Sequence, residues 1–241
     1  MLKIIIPLAG SSELFSKAGY FYPKPLIEVL GKPMIEMVLE NPLSLKKDIQ
    51  FIFIIKEEDA AKFHLDSTLK ILSPQSKIIK LSHDTKGGLC SVLMAIDDIH
   101  ENDEVLILNG DQLIDENLKI IYGYWLTNSA EAGLVSFKSV HPRWAYARIE
   151  GGVVVQTAEK NPISNHALAG VYYFKKAATF FKAAFSAIKN GVQLDGMYYI
   201  SPVINEYVLN SQKVVTYTIE SNQYHLFYSP QVLQDYERNI I

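Results

Sequence analysis

The chain has 241 residues, 49% of them hydrophobic and 20% charged, the balance of a soluble globular protein with a substantial core. A formal charge of -3 leaves no basic excess and argues against nucleic acid as a partner. The single cysteine, Cys90, excludes a disulfide framework and a cysteine-built metal cluster. No apolar run reaches the roughly 18 residues of a membrane span, and Met1-Leu2-Lys3 leads into a strand without a signal-peptide pattern, so a cytoplasmic protein is expected.

In chain order, Ile4-Ile5-Ile6 reads as a strand buried on both faces of a parallel sheet. It breaks at Pro7 into Leu8-Ala9-Gly10-Ser11-Ser12, small residues that let the backbone approach a ligand at the strand's carboxyl end. Lys24 follows between Pro23 and Pro25, which are expected to hold it on a stiff extended segment and aim its ammonium at a phosphate. A helix is predicted over 32–43, entered through Pro33. A strand over 50–55 and a segment over 57–72 with apolar Ala61, Phe63, Leu65 and Leu69 come next. A third strand spans 77–81, and Thr85-Lys86-Gly87-Gly88 opens a helix running to Ile96. The fourth strand, 103–109, ends at Gly110-Asp111-Gln112. This alternation implies a mostly parallel sheet with right-handed crossovers.

Beyond Leu118 the pattern changes. Strands are expected over 132–139, 146–149, 153–157 and 170–174, with a hairpin turn at Gly151-Gly152. Helices are expected over 180–189 and 200–209, a strand over 213–219, and a last helix over 229–237 begun by Pro230. No linker, charge block or repeat divides the chain, so it reads as one domain of 1–241.

Each candidate residue has an ordinary reading beside its functional one. Asp111, at the tip of a central strand, is either a Mg²⁺ ligand in a ligand crevice or a turn aspartate capping the next helix. Lys24 is otherwise a surface lysine in a proline-rich turn, and Gly87-Gly88 otherwise a plain turn before a helix. Glu159-Lys160, after a strand, pairs a hydroxyl acceptor with a point charge suited to phosphate, or is an exposed ion pair. Arg143-Trp144-Ala145-Tyr146 suits a lid in which rings stack and the guanidinium meets a phosphate, and equally suits core or interface aromatics. His64, His83, His100 and His166 have neither metal-ligand spacing nor a triad context.

The order strand, Leu8-Ala9-Gly10 loop, Pro23-Lys24-Pro25-Leu26-Ile27, then Gly31-Lys32-Pro33-Met34-Ile35, resembles the sugar-phosphate nucleotidyltransferase superfamily, in its capsule- and surface-polysaccharide-related branch. The resemblance covers nearly the whole chain. It implies an α/β, three-layer Rossmann-like fold with a mostly parallel mixed central sheet. It divides the domain into a nucleotide half, 1–118, and an acceptor half, 119–241. It also implies transfer of a nucleotidyl group from an NTP to a sugar phosphate or similar phosphorylated acceptor, with release of pyrophosphate.

By that resemblance Lys24 and Asp111 are catalytic, Asp111 holding Mg²⁺, and Leu8, Ala9, Gly10, Ser11, Ser12, Thr85, Gly87, Gly88 and Gly110 bind the nucleotide. The block Glu159-Lys160-x-x-Ile163-Ser164, with Gly170-Val171-Tyr172-Tyr173-Phe174, implies acceptor binding by Glu159, Lys160 and Gly170, with Tyr146 beside them. Two positions depart from the family pattern. Leu14 stands where the loop arginine belongs and Leu226 where a second metal-binding aspartate belongs; His225 and Asp195 are the nearest substitutes. Lys17 and Arg143 are the cations available in place of the missing arginine. The departures keep a second class of function open, a catalytically impaired binder of a nucleotide or nucleotide sugar. A third, a glycosyltransferase of the same fold type, lacks its Asp-x-Asp pair. The base, the acceptor and any homo-oligomer do not follow from the sequence.

Overall fold

A computed structural model describes residues 1–45 and 47–240. The chain opens with β1 (Leu2–Pro7), buried up to Pro7, and a short α1 (Glu13–Lys17) rising from the loop that follows. β2 (Glu28–Val29) and β3 (Lys32–Pro33) form a small ribbon turned by Leu30 and Gly31, both at positive φ. α2 (Met34–Leu43), β4 (Ile49–Lys56), α3 (Glu57–Phe63), α4 (Leu65–Leu72), β5 (Lys77–Leu81), α5 (Gly88–Leu93) and β6 (Glu104–Leu108) complete the alternating part. Then come β7 (Gln112–Ile114), α6 (Leu118–Thr127), β8 (Ala132–Lys138), β9 (Tyr146–Glu150), β10 (Val153–Ala158) and β11 (His166–Phe174). α7 (Ala177–Lys189), α8 (Val203–Leu209), β12 (Val214–Thr218), β13 (Tyr224–Leu226) and α9 (Pro230–Ile240) finish the chain.

The central sheet has nine strands. β5, β4, β1 and β6 are parallel neighbours, β11 runs against β6 and β8, and β12 is parallel to β8. The β9–β10 hairpin joins the first half of β11. The fold is thus α/β with a mixed, mostly parallel sheet, as expected. Strand alternation divides the core between its two faces. Ile4 and Ile6 pack with Val38, Leu69 and Trp125 from α2, α4 and α6, whereas Ile5 packs with Val92, Phe180 and Ile204 from α5, α7 and α8. β1 and β6 are in parallel register, Ile5 opposite Ile107, so the loops after both strands open at the same edge. That is where open α/β sheets bind ligands.

Several local features differ from the sequence reading. The 57–72 segment is two helices, because His64 adopts a left-handed φ of 53° between them. Pro33 is not the first helical residue. It ends β3 and caps α2, its extended ψ of 138° matching a strand exit. The helix from Gly88 stops at Leu93, and the chain reaches Asp98 through a 3-10 turn. The short α1, β7 and β13 and the apolar α6 lie outside the sequence-predicted elements. No helix among the described residues is long and apolar enough to cross a membrane.

Candidate active site

The edge shared by β1 and β6 carries a cavity of about 90 Å³ lined by Pro7, Leu8, Gly10, Lys24, Pro25, Asn109, Gly110 and Asp111. The structure therefore brings the strand-end loop, the Pro-Lys-Pro lysine and the Gly-Asp turn together. Gly110 packs closely on the strand-end loop: a Cβ there would lie 2.1 Å from Leu8 Cδ2, so that side chain would have to turn aside. The Lys24 ammonium donates to Asp111 Oδ2 at 2.9 Å, both side chains partly shielded. Under it lies Phe15 of α1, fully buried, its ring centroid 6.0 Å from the Lys24 nitrogen. Ser12 accepts the Lys24 backbone N–H through Oγ at 2.9 Å, and Ser11 Oγ accepts from Glu13 N–H. Ala9 lies between Leu8 and Gly10, half-buried. Lys24 is not on an extended segment. It opens a 3-10 turn over Lys24–Leu26, in which Pro25 occupies a first-turn position where a missing N–H costs nothing.

The second wall is the Gly87-Gly88 loop. Gly87 has φ 105°, and a Cβ on it would sit 2.4 Å from the backbone oxygen of Tyr198. The segment is stitched across by Leu89 N–H to Tyr198 O and Tyr198 N–H to Lys86 O, at 3.1 and 2.8 Å. Thr85 closes the turn, its hydroxyl donating to Gly87 O and facing Ser91 Oγ at 2.7 Å.

A larger hollow of about 340 Å³ adjoins the first through Pro7 and Asn109, and Gly88, Glu159 and Gly170 contribute to its lining. Glu159 is largely withdrawn from water. Burial pushes its carboxyl above the usual range, against which Ser201 Oγ donates to it at 2.6 Å and Lys160 attracts it. Gly170 sits at the irregularity in β11 with φ 64°, and a Cβ would strike Asn109 Nδ2 at 2.1 Å. Asn109, Tyr172, Tyr199 and Tyr224 line the hollow. Of these, Asn109 is signalled in the sequence by its place before Gly110-Asp111. Tyr199 and Ser201 come from a loop some 40 residues after Glu159, a proximity no local pattern carries.

Tyr146 does not face the hollow, and Lys160 reaches it only through Tyr199. Tyr146 is fully buried and its hydroxyl donates to His141 O at 2.6 Å, so it braces the loop instead of facing a ligand. Lys160 carries a left-handed φ of 50° and donates to the Tyr199 hydroxyl at 2.9 Å, and it is not among the residues lining the hollow. Leu14 is exposed on α1, and Lys17 beside it is ion-paired with Glu13 at 2.6 Å. β13 pairs with β7 and brings Leu226 into the lining of the hollow, while Phe227 N–H donates to Asp111 O at 2.8 Å. His225 turns to Asp115, Nε2 to Oδ2 at 3.0 Å, and Asp195 does not line the hollow. Among the described residues no cluster of three or more His, Cys, Asp or Glu is arranged to hold a metal. The chain thus offers one carboxylate, Asp111, at this edge. That suits a hard ion such as Mg²⁺, which completes its shell with phosphate oxygens and water.

A nucleotidyl transferase family model matches residues 19–222, and the chain belongs to that family. A Sulfolobus acidocaldarius protein provisionally named mannose-1-phosphate guanyltransferase is 25% identical over 180 residues, 73% of this chain and 49% of that protein. The bifunctional protein GlmU of Thermosipho africanus is 25% identical over 227 residues, 91% of this chain and 46% of that protein. The chain therefore spans about half the length of these curated relatives. The crystal structure of a nucleoside-diphosphate-sugar pyrophosphorylase from Vibrio cholerae RC9 superimposes with a TM-score of 0.84 at 23% identity, covering 98% of this chain and 99% of that one. That likeness extends the family's fold over the whole chain.

Proposed function

We propose that this member of the nucleotidyl transferase family transfers a nucleotidyl group from an NTP to a sugar phosphate or similar phosphorylated acceptor, releasing pyrophosphate, in nucleotide-sugar synthesis for surface polysaccharide. The observation that carries this reading is the Lys24–Asp111 pair at the shared edge of β1 and β6, with the glycine loops on either side and the larger hollow adjoining. In this reading residues 1–118 receive the nucleotide and 119–241 the acceptor, as two halves of one domain. Leu8, Ala9, Gly10, Ser11 and Ser12 lie along the phosphates, and Thr85, Gly87 and Gly88 border the base and ribose. Asp111 and the nucleotide's own phosphate oxygens would hold Mg²⁺, which supplies charge neutralisation on the phosphates when bound.

The chain's own work is then positioning and charge. Lys24 exchanges its contact with Asp111 for a phosphate oxygen. Glu159, fixed by Ser201, accepts from an acceptor hydroxyl, and Gly170 lets the Asn109 side chain pack closely on the strand that lines the hollow. The acceptor phosphate attacks the α-phosphorus in line, the bond from that phosphorus to the α,β-bridging oxygen breaks, and pyrophosphate leaves. Leu14 in exposed α1 and Leu226 in the hollow favour a second reading, a relative that binds nucleotide without turning it over. A pyrophosphate-release screen of four NTPs against sugar and alcohol phosphates in Mg²⁺ separates the two. Release from one pair, abolished in Asp111→Ala, supports transfer. Nucleotide binding without release from any pair supports the binder.

A further inference from the structure

The chain has three arginines, and two are neutralised locally. Arg148 pairs with Glu150 at 3.3 Å and Arg238 with Asp235 at 3.5 Å. Arg143 has no such partner among the described residues. Its guanidinium carbon instead lies 4.5 Å from the ring centroid of Tyr228 and 5.7 Å from that of Trp144, and the residue lines the larger hollow with Glu159, Gly170 and Tyr172. Stacking on aromatic faces holds a guanidinium without consuming its hydrogen-bond donors. All five N–H groups stay available in a fork that suits phosphate.

The support beneath Arg143 is stiff. His141 Nδ1 accepts the Arg143 backbone N–H at 3.2 Å, and His141 O accepts from both Trp144 N–H and the buried Tyr146 hydroxyl. Trp144 packs edge-on against both Phe137 and Tyr224, at 5.4 and 5.6 Å. Tyr228 follows directly on Phe227, whose N–H is bonded to Asp111 O. The 141–146 loop and the C-terminal segment therefore meet through Arg143, and the second of them is tied to the aspartate turn. Three other cations near the crevice are engaged: Lys24 by Asp111, Lys17 by Glu13, Lys160 by Tyr199.

We propose that Arg143, stacked against Trp144 and Tyr228, is the anion-binding residue of the larger hollow and takes the phosphate of the acceptor. Two placements select the acceptor over the nucleotide. Arg143 lines the hollow with Glu159 and Gly170, and it is not among the residues lining the Lys24 cavity. The identification of the anion as the acceptor's rests on the nucleotidyl-transfer reading, whereas the anion site itself does not. In this arrangement the ring of Tyr228, not its hydroxyl, positions the guanidinium.

The test is a calorimetric titration of the intact protein with inorganic phosphate and, separately, with an NTP in Mg²⁺. Arg143→Ala is expected to weaken phosphate binding roughly tenfold to a hundredfold, the loss of a charge-assisted hydrogen-bonded contact, and to leave NTP affinity unchanged. Arg143→Lys recovers part of it. Tyr228→Phe binds as the parent does, and Tyr228→Ala weakens phosphate several-fold. Lys24→Ala, which alters the neighbouring cavity, leaves the Arg143-dependent phosphate site in place. The proposal is overturned if the parent protein binds no phosphate, if Arg143→Ala retains the parent affinity, or if phosphate and NTP affinities fall together. Arg143-dependent phosphate binding with no pyrophosphate release from any pair would remove the transfer reading and leave the anion site standing.

Discussion

Gly87 and Gly88 are adjacent, both in the loop that borders the crevice, and the structure assigns them opposite responses to alanine. Gly87 has φ 105° and ψ 171°, a region essentially closed to residues with a Cβ, at a cost of about 1–3 kcal/mol. Its Cβ would also lie 2.4 Å from Tyr198 O and 2.7 Å from Tyr198 N, backbone atoms that cannot swing aside as a side chain does. Relieving the clash means parting the Leu89–Tyr198 and Tyr198–Lys86 bonds, each worth about 0.5–1.5 kcal/mol net. Gly87→Ala is therefore expected to destabilise by about 2–6 kcal/mol. Gly88 has nothing within 4 Å of a Cβ and carries no positive φ, and it is the first residue of α5. Alanine there is expected to be neutral or to stabilise by about 0.4–1 kcal/mol through the unfolded chain. Because Tyr198 is followed by Tyr199 and Ser201, which hold Lys160 and Glu159, Gly87→Ala should also weaken binding in the larger hollow. Urea unfolding of both variants reads the stability difference, and phosphate titration reads the second effect. Stabilities of the two variants within about 0.5 kcal/mol of each other, a typical limit for surface changes, would refute the clash argument.

Three further outcomes are expected. Burial works against ionised Glu104, but hydrogen bonds from Lys47, Tyr122 and Tyr173 outweigh it and hold the carboxyl below its ordinary range. Its contribution is present above the unfolded-state pKa and is lost as pH falls through the lowered folded value. Glu104→Gln should therefore unfold more easily at neutral pH and converge on the parent in acid; a constant gap across a urea–pH series would rule this out. Glu159 has the opposite sign: burial raises its pKa, so its folded state is favoured below the unfolded value and loses ground as pH rises through the folded one. Glu159→Gln should gain in stability over the parent as pH rises from acid to neutral, measured by the same series, while acceptor affinity falls. Tyr146→Phe deletes the donor to His141 O and should cost about 1 kcal/mol, with phosphate affinity reduced because Arg143 leans on the same loop; unchanged melting and titration would show the brace to be idle.

How much of the fold is legible in the sequence depends on whether the signal is local. The parallel strands are legible, because β1, β4 and β6 are continuous apolar runs buried on both faces, and their spacing leaves room only for crossover helices. α6 is not, because Leu118–Thr127 is apolar on most of its surface and interrupted by Gly123, so it shows no clean helical stripe. The break at His64 is equally hidden: 57–72 has helix-forming residues throughout, and only the left-handed φ separates α3 from α4. Short elements such as β7 and β13 exist because they pair with each other across more than 100 residues of chain, which no window of sequence contains.

The same division runs through the site, and it explains where Tyr146 and Lys160 lie. Lys24, Asp111, Gly87 and Gly110 are readable because each sits beside a proline, a glycine or a strand end, features that constrain the backbone wherever they occur. Adjacency groups Tyr146 with Trp144, yet β9 begins only at Tyr146. Trp144, two residues before it in the preceding turn, reaches the hollow, whereas Tyr146 belongs to the core. The same adjacency pairs Lys160 with Glu159. The left-handed φ at Lys160 turns the chain, and its ammonium bonds the hydroxyl of Tyr199, which lines the hollow. With Lys160 bonded to Tyr199, the guanidinium that lines the hollow is that of Arg143, which lies against a tyrosine from the far end of the chain. On the nucleotidyl-transfer reading the acceptor end is assembled from residues 143–145, 159–172, 199–200 and 224–226, which line the hollow together with Pro7, Gly88 and Asn109. Charge changes in any one of these segments should therefore be felt as acceptor affinity before they are felt as nucleotide affinity.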